Sequence, residues 1–565
     1  MNRRIRLITA GFIGLMLVLL AGIALAADTE VAFTWTVEGR EFTVRVDKQS
    51  KNQKVLYLPG AFREQDPVLS LSPNAEMTWD GTTYQPGQTV PVSKYAGQTV
   101  PVSFSGRAGT WNVKVMQGSS IPALFISMSD MDFKYISKHK GMDPAGGASM
   151  LMVTEDGRLN AAEALTSFRT RGNFTIIGPK KSFSFKMENK ANLAGMGANK
   201  KWILLANWCD VSLLRNQITF ELFRQVGMTY TSDCRQVDMY VNQNYHGTYL
   251  LTEKIQIKKN RLEITNLEEE YEKVNGKEAY DSAKVRFVRY NGLNIRWYDV
   301  EKEPEDITGG YLLEIELPMY YMDDKDHAGI KTKTDMYVTI KEPTHVGQRG
   351  AEYIADLING LNQAAIAKNG CNSEGKYYAD YLDLHSFALK TALDEVSACY
   401  DVRASSQYMF KEPDSIDPKL YAGPAWDFDW SYGNNHKGMN NPKKMDFVYT
   451  RSSVHWFLAH WMLTHEDFQK ETRKAFEEEV YPALEILMGR KKAPEGSTLK
   501  TLDEYQAAIA ASAEMNFTRW AAGSNQVIDK NSGMTFEKSC AYLKNWIGIR
   551  MDALLENWKP GQSGK

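Results

Sequence analysis

Cysteine is scarce in this chain. Five occur in 565 residues, at positions 209, 234, 371, 399 and 540, widely spaced and odd in number. There is no CxxC pair and no dense Cys framework, so the fold does not rest on disulfides. A Cys209–Cys234 bridge stays open on sequence grounds. Charge of one sign is lacking too. The formal net charge is -2, which gives no global attraction to nucleic acid or anionic lipid. Beyond the first 26 residues no run of about 18 apolar residues occurs, so the rest of the chain reads as soluble. HExxH and GxSxG are absent, which argues against zinc hydrolysis and a serine nucleophile elbow. His455, His460 and His465 are spaced by five. That spacing turns ~140° per step on a helix, so they share no face and read as structural.

What is present begins with an export signal. Arg3, Arg4 and Arg6 precede an apolar run from Leu7 to Leu25, and Ala24-Leu25-Ala26 supplies a small-x-small cleavage pattern. Residues 1–27 are therefore expected to direct export, to a secreted, cell-surface or spore-coat location. An uncleaved anchor is the competing expectation. The length implies two to four domains.

Residues 28–118 alternate in short strands, such as Phe33-Thr34-Trp35-Thr36-Val37 and Trp111-Asn112-Val113-Lys114-Val115, between Gly, Pro, Asn and Asp. This predicts a small, Ig-like β-sandwich. Gly87–Ser93 recurs as Gly97–Ser103, which suits paired strands with similar turns. A new unit begins near Ile121. Its landmarks are Arg171-Gly172-Asn173, a strand from Ser182 to Lys186, a buried strand from Trp202 to Asn207, and a helix from about Leu213 to Val226. A hairpin follows, with strands Val237–Val241 and Thr248–Thr252 around Asn242–Gly247. Residues 258–306 read as charged surface structure. Glu314 and Glu316 share a strand face; a solvated edge is preferred over a glycosidase-type carboxylate pair. Helices are expected over 350–367, 381–398, 453–463, 466–487, 502–521 and 536–558.

The stretch Tyr421 to Trp430 organises the chain. It sets Asp427 and Asp429 among Trp426, Phe428 and Trp430. On a strand the two carboxylates would share a face. Burying them demands a cation, and a divalent metal is one candidate; capping of a turn is the other reading. Taken alone, Lys180, Lys181 and Lys186 read as a solvated basic edge, preferred over an inward-facing Lys at a strand end that holds an anion.

The order of these parts is that of a two-lobed kinase: strands and one helix, a hairpin, a connection, a helix ending in an Asp, and a second hairpin ending in acidic residues. Several pieces resemble the CotH spore-coat kinases, a family of atypical secreted protein kinases. They are Arg171-Gly172-Asn173 with Lys180-Lys181, Trp202–Asn207 with Asp210 and Leu214-Arg215-Asn216, Asn244–Glu253, and Gly423–Asp429. The resemblance implies an α+β fold, with a two-lobed atypical protein-kinase-like domain over residues 121–560. Its N-lobe would cover about 121–252, its connection about 252–257 and its C-lobe about 258–560.

The resemblance further implies ATP, magnesium or manganese, and transfer to Ser or Thr of a protein. Asp401 would be the catalytic Asp. Asp427 would bind metal, with Asp429 beside it. Lys181 or Lys186 would hold phosphates. Glu253 and Ile255 would lie at the connection that touches adenine, and Arg215 would support the site. The pattern departs from ordinary kinases in lacking a GxGxxG lid and an HRD triplet, in placing Ser406 five residues after Asp401, and in putting Asp429 where DFG has Gly. The alternative is a non-catalytic surface scaffold or adhesion protein with a kinase-like ligand-binding domain. A carbohydrate-active enzyme rests only on aromatic and acidic residues.

Overall fold

The computed structural model describes residues 29–558 apart from 51–52, 73, 108, 229, 404, 436–439, 446, 452–457 and 522–532. The expected export signal lies outside the described residues, as does His455. Helix and strand contribute in near-equal shares, so the fold is mixed α and β. The chain divides into two units, one of Met1–Ser127, Leu151–Leu159 and Asp238–Gly247, the other of Met128–Met150, Asn160–Val237 and Thr248–Lys565.

The first unit is built from β1 (Glu30–Val37), β2 (Arg40–Ser50), β3 (Gln53–Leu58), β4 (Val68–Ser72), β5 (Met77–Trp79), β6 (Thr82–Tyr84), β7 (Thr99–Phe104) and β8 (Trp111–Gln117). They hydrogen-bond in the order β4-β1-β2-β3-β8-β7-β5-β6, consistent with a β-sandwich. Alternation works as the sequence implies. Phe33, Trp35, Phe42 and Val44 all point into the core, where Trp35 stacks on Phe62 at 4.9 Å. Glu38 and Gly39 both take positive φ, the requirement of a two-residue turn joining β1 to β2. The internal repeat behaves differently from expectation. Its second copy forms β7, but its first bends into a 3-10 turn over Val92–Tyr95. Both copies still bury their valines, Val90 and Val92 in one and Val100 and Val102 in the other. The unit also holds β9 (Ala123–Ser127), parallel to the segment Asp238–Val241.

The second unit carries β11 (Leu159–Arg171) from Asn160 onward, β12 (Ser182–Asn192) and β13 (Ala198–Leu205), and shares β10 (Ala148–Val153), β14 (Cys234–Val241) and β15 (Asn244–Glu253) with the first. β11, β12, β13 and the Leu250–Glu253 end of β15 run antiparallel to one another in that order. The β14–β15 hairpin is tighter than its sequence suggested. Asn242 and Gln243 both adopt positive φ, so two residues make the turn and the second strand starts at Asn244.

A second sheet contains β16 (Val285–Tyr290), β17 (Leu293–Tyr298), β18 (Tyr311–Ile315), β19 (Gly329–Lys331), β20 (Tyr337–Glu342), β21 (Gln407–Lys411) and β22 (Leu420–Ala422), in the order β16-β17-β19-β20-β18-β21-β22. Two expectations change here. Residues 258–306 contain two helices and two of these strands rather than only surface connections. Glu314 and Glu316 are no solvated edge: β18 lies between β20 and β21, and both carboxylates are buried.

Helices complete the unit: α1 (Asp130–Ile136), α2 (Arg215–Gln225), α3 (Leu267–Asn275), α4 (Lys277–Asp281), α5 (Pro318–Asp323), α6 (Gln348–Ile366), α7 (Leu384–Ser397), α8 (Leu458–Met462), α9 (Glu466–Ala475), α10 (Tyr481–Leu487), α11 (Leu502–Arg519) and α12 (Phe536–Asn557). α2 forms because Leu214, Ile218 and Leu222 recur at spacing four and are all buried. Asp210 accepts from the Arg215 backbone N–H at 2.9 Å and so satisfies one orphan donor of its first turn. The helix expected over 466–487 is interrupted by a π-helical turn at Phe476–Val480 between α9 and α10. All five cysteines are free thiols, including Cys209 and Cys234.

Candidate functional site

The site is assembled by two loops, one after α7 and one after β22. Asp383 caps α7 by accepting from Ser386 N–H at 2.7 Å, and Ala398 ends it in the left-handed conformation. The chain then runs through Cys399, Tyr400 and Asp401. It is stitched to the second loop at two points. The Cys399 thiol donates to the Asp427 carbonyl at 3.4 Å, and Tyr400 N–H donates to the Trp430 carbonyl at 3.2 Å. These bonds bring the Asp401 and Asp427 segments together. Both carboxylates also act electrostatically on Tyr320 of α5.

The second loop is not a strand. Gly423 to Phe428 has no regular structure, and Asp427 sits at φ 71°. Strand alternation therefore does not orient its two carboxylates, contrary to the sequence reading. Each has its own anchor. Asp427 Oδ2 accepts from Ser406 Oγ at 3.3 Å. Asp429 Oδ1 accepts from the Asn216 side-chain amide, whose carbonyl in turn accepts from Phe428 N–H at 2.8 Å. Desolvation raises Asp427, while Arg171 and the Ser406 bond pull it down. Asp429 is pushed up to about 8, first by desolvation and then by Asp427 and Asp210. Two half-buried carboxylates so raised are short of positive charge.

Beside this pair, in the second unit, lies a cavity of about 250 Å³. Its walls come from both sheets: Ile203 of β13 and Lys254 and Ile255 after β15 on one side, Leu312, Lys341 and Tyr408 on the other. Arg171, the last residue of β11, also borders it. Its guanidinium lies 5.3 Å from the Trp426 ring centroid. Desolvation lowers Arg171, while Tyr408, Asp427, Glu314 and Asp429 raise it, so its field spans cavity and carboxylate pair.

A buried acidic network supports the cavity floor. Lys341 lies 3.3 Å from Glu314, 3.7 Å from Glu316 and 3.5 Å from Asp324. Glu314 is pushed up to about 8, chiefly by desolvation, and the Tyr408 hydroxyl bonds to it. Asp324 holds the His327 ring at 2.9 Å and is itself held well below the usual carboxylate range; burial is the largest single influence and opposes that shift, but the His327 bond and charge, the Lys341 charge and the Asp326 N–H together outweigh it.

The remaining sequence candidates fall in different places. Arg215 and Asp210 form a fully buried ion pair, and Arg215 Nε donates to the Ser431 carbonyl at 3.0 Å. Arg215 thus anchors the second loop from behind. Ile255 lines the cavity. Glu253 faces away, pairing with Arg261 and accepting from Asp233 N–H at 3.1 Å. Lys181 donates to the Ile176 carbonyl, and Lys186 is exposed on β12; neither borders the cavity. Lys180 is buried, donating to the Ala206 carbonyl at 2.9 Å, so the basic-edge reading fails for it. His465 is a core residue whose Nε2 meets the Ala365 carbonyl at 2.8 Å. Lys254, Lys341, Glu342 and Tyr408 were not singled out as site residues from sequence; the strand patterns around them gave no sign of which faces would meet.

A cation-lined cavity beside paired aspartates on adjoining loops is the kind of site found in proteins that handle phosphate esters with a metal ion. The chain belongs to the CotH kinase protein family, whose family model matches residues 168–554, more than half of the chain. It is therefore a kinase-like protein. No curated protein matches the chain.

Proposed function

We propose that this protein transfers the γ-phosphoryl group of ATP to a Ser or Thr hydroxyl of an exported protein, at the cell surface or in a spore coat. The observation that carries the proposal is the stitching of Cys399 and Tyr400 to the Asp427–Trp430 loop beside the cavity. It sets Asp401 and Asp427 on adjoining loops, the relationship that phosphoryl transfer to a hydroxyl uses.

In this reading Asp401 orients the acceptor hydroxyl and takes its proton. Asp427 and Asp429 hold magnesium or manganese. The fit rests on the donor set: two half-buried carboxylates on one loop, both raised by desolvation, with Asp427 accepting from the Ser406 hydroxyl and Asp429 from the Asn216 amide. When bound, the ion neutralises phosphate oxygens. Among the described residues no three His, Cys, Asp or Glu side chains converge as a self-sufficient metal site, so phosphate oxygens and water would complete the coordination. Asn216 and Arg215 fix the metal-binding loop. In this reading the two sheets would belong to two lobes, with the connection near Thr252–Ile255. The β-sandwich is a candidate surface for docking spore-coat or surface partners.

Asp427→Ala should abolish metal-dependent ATP binding while the fold persists. Asp401→Ala should keep ATP binding and lose transfer. Parental ATP–metal affinity in Asp427→Ala rejects its assigned role. Binding without transfer in the parent protein, across candidate acceptors, selects the scaffold alternative.

A further inference from the structure

Two cations at the cavity lack a close counter-charge. Among the described residues Arg171 makes no side-chain hydrogen bond and no ion pair within 4.0 Å; its guanidinium lies over the Trp426 ring, 5.3 Å from the centroid. Lys254 likewise has no ion pair within that distance. Lys341, the third cation, is already committed to Glu314, Glu316 and Asp324. The Lys254 side chain is exposed and lines the cavity. Glu342 attracts it, but the Glu342 carboxylate is also used by Ile257 N–H at 2.7 Å.

Cations without a close counter-charge, partly screened from water by protein, are costly unless an anion meets them. The space is about 250 Å³, several times the roughly 30 Å³ share of one water. Ile203, Ile255 and Leu312 make part of the lining apolar, and the Trp426 ring adds a flat face. A ligand with both a planar apolar part and several negative charges suits such a lining. Arg offers a planar fork matched to phosphate oxygens, and Lys a point charge.

We propose that Arg171 and Lys254 hold the phosphate groups of a nucleotide in this cavity, in place of a strand lysine such as Lys181 or Lys186. The inference rests on the kinase reading above. Arg171 then has a second consequence: its field reaches Asp427 and Asp429, so one guanidinium ties the phosphates to the carboxylates that hold the metal.

The test is calorimetric binding to the full chain of three probes, ATP, adenosine and inorganic tripolyphosphate, each with magnesium and with chelator. The variants are Arg171→Gln, Arg171→Lys, Lys254→Met and Lys186→Met, with melting curves confirming that each is folded. Arg171→Gln and Lys254→Met should each weaken ATP and tripolyphosphate by roughly 10- to 100-fold. Arg171→Lys should weaken them less, because it keeps the charge and loses the fork. Adenosine affinity should change less than about twofold, and the losses should exceed that of Lys186→Met by about tenfold. ATP affinity at the parental level in both Arg171→Gln and Lys254→Met, or a loss confined to Lys186→Met, overturns the inference and leaves the kinase reading standing. Tripolyphosphate binding as tight as ATP, with none for adenosine, overturns the nucleotide assignment. Failure of the parent chain to bind ATP at all removes the kinase reading and this inference with it.

Discussion

Asn216 holds Asp429 across 213 positions of chain: its amide donates to the Asp429 carboxylate, while its carbonyl accepts from Phe428 N–H at 2.8 Å. One side chain on the first turn of α2 thereby fixes both the backbone and the carboxylate of the acidic loop. The Asn216 amide also donates to Asn207 Oδ1 at 3.2 Å, so the end of β13 joins the same network. Arg215 adds a second tie to Ser431.

Removing this grip should cost both stability and function. Asn216→Ala leaves a buried N–H and a carboxylate without a partner, at about 1–3 kcal/mol. Denaturant melts should show a lowered midpoint with an unchanged slope. Metal-dependent ATP affinity should fall in the same variant. Asn216→Asp should be worse, since it sets a second carboxylate against Asp429. An Asn216→Ala protein with parental melting and parental binding contradicts the positioning role.

Asp429 predicts a pH dependence with a definite sign. Burial pushes it up to about 8 in the folded state, above the ordinary 3.8 of an Asp. The folded state therefore binds more protons between those values, and this group's contribution to stability falls as pH rises through that window. The ligand-free protein should be less stable at about pH 8 than at about pH 6. Glu314, also near 8, and Glu253 and Glu342, near 7, titrate in the same window. The diagnostic is thus the difference between parent and Asp429→Asn, whose slope should be shallower. Magnesium with ATP should flatten the parental slope, because a cation holds the carboxylate ionised. An unchanged slope in Asp429→Asn refutes the raised carboxylate.

The Lys341 network makes a prediction about the second sheet. Lys341→Met strands Glu314, Glu316 and Asp324 without their shared cation. Removing one partner of a buried ionic group costs about 3–5 kcal/mol. Adding Glu314→Gln to Lys341→Met should recover part of that loss, and a double-mutant cycle in denaturant would measure the coupling. Additive losses would show that Lys341 and Glu314 do not interact.

Local pattern made some of this architecture legible. The alternation of Phe33, Trp35, Phe42 and Val44 gave the β-rich first unit, and Leu214, Ile218 and Leu222 gave α2. The Tyr421–Trp430 stretch drew attention to the acidic loop, although its strand geometry was wrong: Asp427 turns left-handed, which period-two reasoning cannot foresee. Glu314 and Glu316 looked like an exposed edge because a lone strand carries no record of its neighbours. Flanking by β20 and β21 buries them, and Lys341, distant in sequence, makes that burial tolerable. The cavity cations were hidden for the same reason. Arg171 ends one strand and Lys254 follows another, and only tertiary pairing turns both towards one space. Lys180 shows the converse. It read as a solvated edge residue, yet backbone carbonyls of distant segments enclose it.

The central claim is phosphoryl transfer that depends on Asp401 and Asp427. The most direct measurement is incorporation of γ-labelled phosphate from ATP into the protein itself, a generic basic protein and candidate spore-coat or surface acceptors. Parent, Asp401→Ala and Asp427→Ala would be compared with magnesium, manganese or chelator. The account predicts stable, metal-dependent labelling of Ser or Thr by the parent, and a loss of at least about a hundredfold in each variant. Labelling that persists at the parental rate in Asp401→Ala and Asp427→Ala, or no labelling of any acceptor by a parent protein that binds ATP and metal, would contradict it.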